Sequence, residues 1–134
     1  MTESSFMSAE ELAAAGFGAV GRNCQVSRFA RFYGASAVQL GDHVRIDDFA
    51  IISAGEAVSL GDHVHIAPFC LLMGRSGITM EAFSGLGSRV AVYSESDDPS
   101  GRSLVNPTIP RQYKPRYRAG AVRIGRHCGV GAGS

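Results

Sequence analysis

Imidazoles and carboxylates are the side chains in this sequence with most chemistry to offer, and both are clustered. His63 and His65 flank Val64, and His43 precedes His63 by 20 residues inside the same short phrase, Leu-Gly-Asp-His-Val. Imidazole is a general base near neutral pH and a metal ligand. By alternation His63 and His65 face outward from one strand, with His43 stacked one rung from His63 at ~4.8 Å, so the three rings form a catalytic base, with His65 best placed, a set of metal ligands, or a plain packing ladder. A second cluster, Glu95, Asp97 and Asp98, stands just before Pro99. Asp97 and Asp98 are candidate acid/base groups or the makings of an Asx-type turn. An unperturbed carboxylate at ~3.9 is a far weaker base than imidazole at ~6.5, so Asp97 needs a raised pKa to act as one, from burial or from its like-charged neighbours. Beyond it lie Arg102, Arg111, Lys114, Arg116 and Arg118, with Tyr113 and Tyr117 among them. Such a segment suits the phosphates of a cofactor or a nucleotide-linked sugar, or is a solvated face.

The framework that must position these groups shows itself as a repeat. Leu40-Gly41-Asp42-His43-Val44 recurs as Leu60-Gly61-Asp62-His63-Val64, and a fixed period means stacked coils. Within each coil a six-residue period places large apolar residues at Val20, Val26 and Phe32, then Leu40, Ile46 and Ile52, then Leu60, Ile66 and Leu72, then Met80, Leu86 and Val92. Strand side chains alternate, so the residue two before each of these shares its face. Those residues, among them Cys24, Ala30, Val44, Ala50, Cys70 and Val90, are small or apolar. Two agreeing series predict a narrow triangular core over residues 18–92. Cys24, Cys70 and Cys128 all take the small inward position, where a reduced thiol packs as a compact hydrophobe. Residues 93–121 break the period and form a long protruding loop without structure of its own, of the kind that usually carries function. Residues 122–134 resume it. Residues 1–17 read as a short capping helix, with Ser8 and Glu11 forming a capping box. The end, Gly129 to Ser134, looks like the middle of a coil, which predicts that C-terminal coils are missing.

At 134 residues there is room for one domain. A net charge of +1 offers no field that would demand nucleic acid or an anionic membrane. No apolar run reaches the ~18 residues of a membrane span, and residues 1–7 show no signal-peptide pattern, so the chain reads as cytoplasmic.

Gly61-Asp62-His63-Val64-His65-Ile66-Ala67, Tyr93-Ser94-Glu95-Ser96-Asp97-Asp98, Asn106-Pro107-Thr108-Ile109-Pro110 and Ile124-Gly125-Arg126-His127 resemble the hexapeptide-repeat acyltransferase superfamily, and within it the sugar O-acetyltransferases. The resemblance implies an all-β fold, a left-handed parallel β-helix, although parallel crossovers are ordinarily right-handed. It implies a homotrimer with acetyl-CoA lying in a groove between subunits. It also implies an oxyanion-type donor at the Ala132 N–H, flanked by Gly131 and Gly133, which let a pantetheine chain approach closely. Arg116 and Arg118 are then candidates for the cofactor's phosphates. Galactoside-type members carry a general-base histidine where this chain has Asp97, and their sugar-pocket Tyr and Asn align with His65 and Ala67, so a galactoside acceptor is not expected. A carbonic-anhydrase branch of the same fold uses histidines on metal, but the loop here resembles the acyltransferases.

The expectation is therefore an acyl-CoA-dependent O-acyltransferase acting on a hydroxyl of a sugar or polysaccharide precursor, with His65, Asp97 and Asp98 catalytic and no metal. N-acylation of an amino or nucleotide-linked sugar is the nearest alternative, because a free amine needs less help from a base. A catalytically incomplete β-helix with a structural role is the other.

Overall fold

The computed structural model describes residues 4–134, so the first three residues of the expected capping segment lie outside the described residues. The chain is all-β, a left-handed parallel β-helix of about four turns, with one α-helix among the described residues. Three parallel sheets make the sides of a prism. The first face stacks Ala19–Val20, Val38–Leu40, Val58–Leu60, Ile78–Met80 and Val122–Ile124. The second stacks Gln25–Val26, Arg45–Ile46, His65–Ile66, Gly85–Leu86 and Gly129–Val130. The third stacks Arg31–Tyr33, Ile51–Ala54, Leu71–Gly74 and Ala91–Tyr93.

Register explains why the two inward series agree. Val38, Val58, Ile78 and Val122 pair in one column, Ile46, Ile66, Leu86 and Val130 in a second, Ile52, Leu72 and Val92 in a third. Ile46, Ile52, Ile66 and Leu72 are wholly buried, and Val44, Val64, Ala50 and Cys70 fill the small positions beside them. Burial raises the pKa of the Cys70 and Cys24 thiols, as expected for packing groups. Cys128, by contrast, is exposed.

The recurring Gly-Asp also has a physical cause. Asp42 Oδ1 accepts the Arg22 N–H at 2.8 Å and Asp62 Oδ1 accepts the Asp42 N–H at 2.7 Å, so each carboxylate ties its corner to the corner 20 residues earlier. The approach leaves no room for a side chain: a Cβ on Gly41 would stand 2.5 Å from Asp62 Oδ1 and 2.9 Å from the Asp62 nitrogen.

The capping box forms as expected. Helix Ala9–Ala14 is capped by Ser8, whose Oγ accepts the Glu11 N–H while Glu11 Oε1 accepts the Ser8 N–H. Arg28 reaches both Glu11 oxygens at 2.8 Å, and Met7, Leu12 and Phe17 pack on the first coil of the core. The Arg28 guanidinium, with the Ser8 N–H, holds Glu11 down to about 2 from an ordinary value of 4.5. A depressed carboxylate contributes stability above its unfolded pKa and loses it as pH falls through the folded one. Amide-exchange protection across Ala9–Ala14 is thus expected to fall between pH 4.5 and 2, and Glu11→Gln to abolish most of that pH dependence. Protection that is flat over this range would show that the cap does not hold the helix.

Among the described residues, no helix is long and apolar enough to cross a membrane.

Candidate active site

The corners decide where the imidazoles go. His43 and His63 both adopt a left-handed backbone, φ 58°, at the turn between the first and second faces. Non-glycine residues seldom do so, and His is among those enriched there. Their rings stack at 4.7 Å, close to the spacing of adjacent strands, and the stack continues through Phe83 at 5.0 Å and His127 at 5.2 Å. His63 and His65 therefore do not share a strand as strict alternation predicts, because the corner residue His63 leaves the strand path. His65 lies in the strand His65–Ile66, and its Nε2 meets Asp47 Oδ2 at 2.7 Å. Asp47 Oδ1 accepts from Arg45 Nε at 2.7 Å. Its pKa is lowered: burial opposes ionisation, and the bonds from His65 and Arg45 outweigh it. Nothing in the repeat singled out Asp47 as the partner of His65, which is one coil further on.

The long excursion leaves the third face after Tyr93, and it is built rather than structureless. Ser94 is buried; its Oγ donates to the Met73 carbonyl and accepts the Ser76 N–H, both at 2.9 Å. Glu95–Ser96 then pairs antiparallel with the returning Arg118–Ala119. Glu95 takes the Tyr117 hydroxyl at 2.5 Å and the Ser76 hydroxyl at 2.9 Å. The Tyr117 hydroxyl is the main cause of the lowered Glu95 pKa, and Glu95 in turn raises that of Tyr117. The Arg111 guanidinium lies 3.6 Å from the Tyr117 ring centre. These contacts join residues far apart in the chain and off the six-residue period, which is why the sequence read as featureless there.

Between this loop and the third face lies a cavity of about 780 Å³. Its wall includes Met73, Arg75, Tyr93, Glu95, Asp97 and Lys114. Asp97 is the most informative of these. Its Oδ2 accepts the Asn106 N–H at 2.9 Å, while Oδ1 lies 3.2 Å from the Lys114 ammonium in an ion pair. Oδ1 is shielded from water with its hydrogen-bond capacity unfilled. The Asn106 N–H first, then Lys114, hold the Asp97 pKa below the usual carboxylate value. The raised pKa that a general base at Asp97 would require is absent: its like-charged neighbours are turned to other partners, Glu95 to Tyr117 and Asp98 to Ser100. Asp98 is buried, accepts the Ser100 hydroxyl at 2.6 Å and the Ser100 N–H at 3.1 Å, and forms the Asx-type turn.

The other expected site residues lie elsewhere. His65 is on the second face, and the cavity opens on the third. Arg118 belongs to the returning loop strand, on a shallower hollow beside the main one. Gly131, Ala132 and Gly133 sit on the last coil, and among the described residues no acceptor engages the Ala132 N–H. Arg75 was not singled out by the sequence, yet it lines the cavity, and its guanidinium makes no hydrogen bond or close ion pair among the described residues.

No family model matches the chain. Against solved structures, 98% of it superposes on AntD, an N-acyltransferase from Bacillus cereus in complex with dTDP and 3-hydroxybutyryl-CoA, with a TM-score of 0.92 and 41% identity over 69% of that chain. The chain belongs to the hexapeptide-repeat acyltransferase superfamily. A single-residue variant of AntD in complex with dTDP-4-amino-4,6-dideoxyglucose and coenzyme A gives a TM-score of 0.88 at 38% identity, covering 98% of this chain and 73% of that one. A curated relative, the Escherichia coli dTDP-4-amino-4,6-dideoxy-D-glucose acyltransferase, is 36% identical over 120 residues. That match takes in 89% of this chain, which spans 62% of the relative's length. These comparisons correct the expectation of an O-acyltransferase: AntD is an N-acyltransferase, and the sugar for which the Escherichia coli relative is named carries an amine.

Proposed function

We propose that this chain acylates the amine of a dTDP-linked amino sugar, using an acyl-CoA thioester as donor. The observation that carries the reading is the unfilled oxygen of Asp97 in the cavity wall. The Lys114 ammonium faces Oδ1 as an ion partner and leaves acceptor capacity open on that oxygen, which an amine N–H fills where a hydrophobic group would not. An ionised carboxylate of low basicity suits this acceptor: a free amine attacks a thioester unaided, and the carboxylate need only orient it. The C–N bond forms as the C–S bond breaks, and the proton released from nitrogen goes with the departing thiolate as the free thiol.

The remaining parts follow from charge and position. Arg75 is assigned to the diphosphate of the acceptor, and the exposed ring of Tyr93 with Met73 to its base. The free Ala132 N–H is assigned to the developing oxyanion, Gly131 and Gly133 to close approach of the pantetheine arm, and Arg116 and Arg118 to the donor's phosphates. Asp98 holds the turn that presents Asp97. We assign the chain to a homotrimer. In that assembly His65, with Nε2 committed to Asp47 and Nδ1 available, would serve the cavity of a neighbouring copy rather than its own.

The test pairs two sugar nucleotides that differ only in amine against hydroxyl, each with acyl-CoA, and follows thiol release. Release that depends on the amine is expected. Failure of the amino sugar to stimulate release above the hydroxyl compound would overturn the reading.

A further inference from the structure

Lysine is almost never fully buried unless its charge is paired, and Lys114 is 6% exposed in the middle of the loop. Its ammonium donates to the Asn106 carbonyl at 2.9 Å, stands 3.2 Å from Asp97 Oδ1 and lies 5.0 Å from the Tyr117 ring centre. Asn106 closes the circuit by giving its N–H to Asp97 Oδ2, from a backbone with φ 115° that a non-glycine residue rarely adopts. Carboxylate, peptide and ammonium thus form a ring of three contacts joining the root of the excursion to its far side.

We infer that Lys114 is a positioning residue: its buried ammonium clamps the loop over the cavity and fixes Asp97 as the carboxylate that meets the acceptor amine. This rests on the amine reading given above. Two consequences separate it from a mere loop staple. A lone, partly buried carboxylate favours a bound ammonium over the free amine and so keeps the acceptor unreactive. Lys114 offsets that charge, and the acceptor can bind as the nucleophilic free base. The same ammonium also favours the ionised form of Asp97, a direction that agrees with its lowered pKa.

The experiment compares the wild-type chain with Lys114→Met, Lys114→Gln and Lys114→Arg. With an amino-sugar acceptor, the two uncharged variants are expected to lose on the order of 10²-fold in kcat, the scale of loss for a misplaced reacting group. Their acid limb of the kcat–pH profile is expected at higher pH, while Lys114→Arg keeps the limb where the wild type has it. Independently of turnover, carbon-13 NMR of labelled aspartate carboxyls should show the Asp97 titration moving to higher pH in whichever uncharged variant folds. An Asp97 titration that does not move, or a loss of kcat with an unmoved acid limb, would overturn the inference. Should the wild type acylate no amine at all, the function reading fails, and the NMR titration still decides the role of Lys114.

Discussion

Replacing Asp97 with Asn is expected to lower kcat/KM for an amino-sugar acceptor by on the order of 10²-fold, the scale on which single preorganised polar contacts at a reacting group operate. Asn has the same shape, and its carbonyl oxygen can still accept the Asn106 N–H that Asp97 Oδ2 now takes. What disappears is the negative charge facing Lys114 and the second acceptor oxygen. The amide NH2 would instead point a donor at the donor it is meant to receive. The loss should therefore appear with the acceptor as varied substrate, at constant acyl-CoA. Steady-state kinetics measure it directly, and an Asp97→Asn enzyme with wild-type kcat/KM would show that the carboxylate is not the acceptor's anchor. The pH dependence has a definite sign. Asp97 is held below the usual carboxylate range, so its contribution is complete above that range and is lost only as pH falls through the lowered folded value.

Leu72→Ala should be the most damaging simple core substitution, at about 2–5 kcal/mol. Leu72 is wholly buried, and it is paired in register with Ile52 in the coil before it and Val92 in the coil after it. Collapse into the space it leaves would require neighbouring coils to approach, yet their separation is fixed by the parallel hydrogen bonds on all three faces. The cavity term is accordingly expected near the upper part of the range. In a stack where each coil touches only its neighbours, damage in a middle coil weakens the coupling of the coils on either side. Urea denaturation tests this through the midpoint and slope. A cost below about 1 kcal/mol would mean that the coils relax far more freely than a close-packed core does. The equivalent change at Ile124, which is only partly buried in the last coil, should cost less.

The coil core was legible because the same demand is repeated on every side of every turn. Val44, Ile46, Ala50 and Ile52 return as Val64, Ile66, Cys70 and Leu72, and a signal repeated at fixed spacing survives the weakness of any single residue. The capping box was legible because Ser8 and Glu11 act within one helical turn. The site was legible only in outline. Asp97 stood out through the loop's resemblance to acyltransferases, but its role turns on Asn106 and Lys114, whose contacts with it obey no period. The strict alternation that placed His63 and His65 on one strand failed at a corner, where a left-handed residue takes His63 out of the strand and into a stack with Phe83. Asp47, the partner of His65, was missed for a similar reason: the bond crosses between coils without exact register. The missing loop histidine was the useful sign for chemistry. It left room for an acceptor that brings its own nucleophilicity, while the comparison with O-acetyltransferases pulled the expectation toward a hydroxyl.

Amine recognition through Asp97, as proposed for the cavity beneath the loop, can be measured directly. Titration calorimetry with a dTDP-linked amino sugar and its hydroxyl counterpart, run without acyl donor on the wild type and on Asp97→Asn, measures that recognition apart from turnover. The wild type should bind the amino sugar at least about tenfold more tightly, a difference of about 1.4 kcal/mol, and Asp97→Asn should bind the two alike. Equal affinity of the wild type for both compounds, or an amine preference that survives Asp97→Asn, would contradict it.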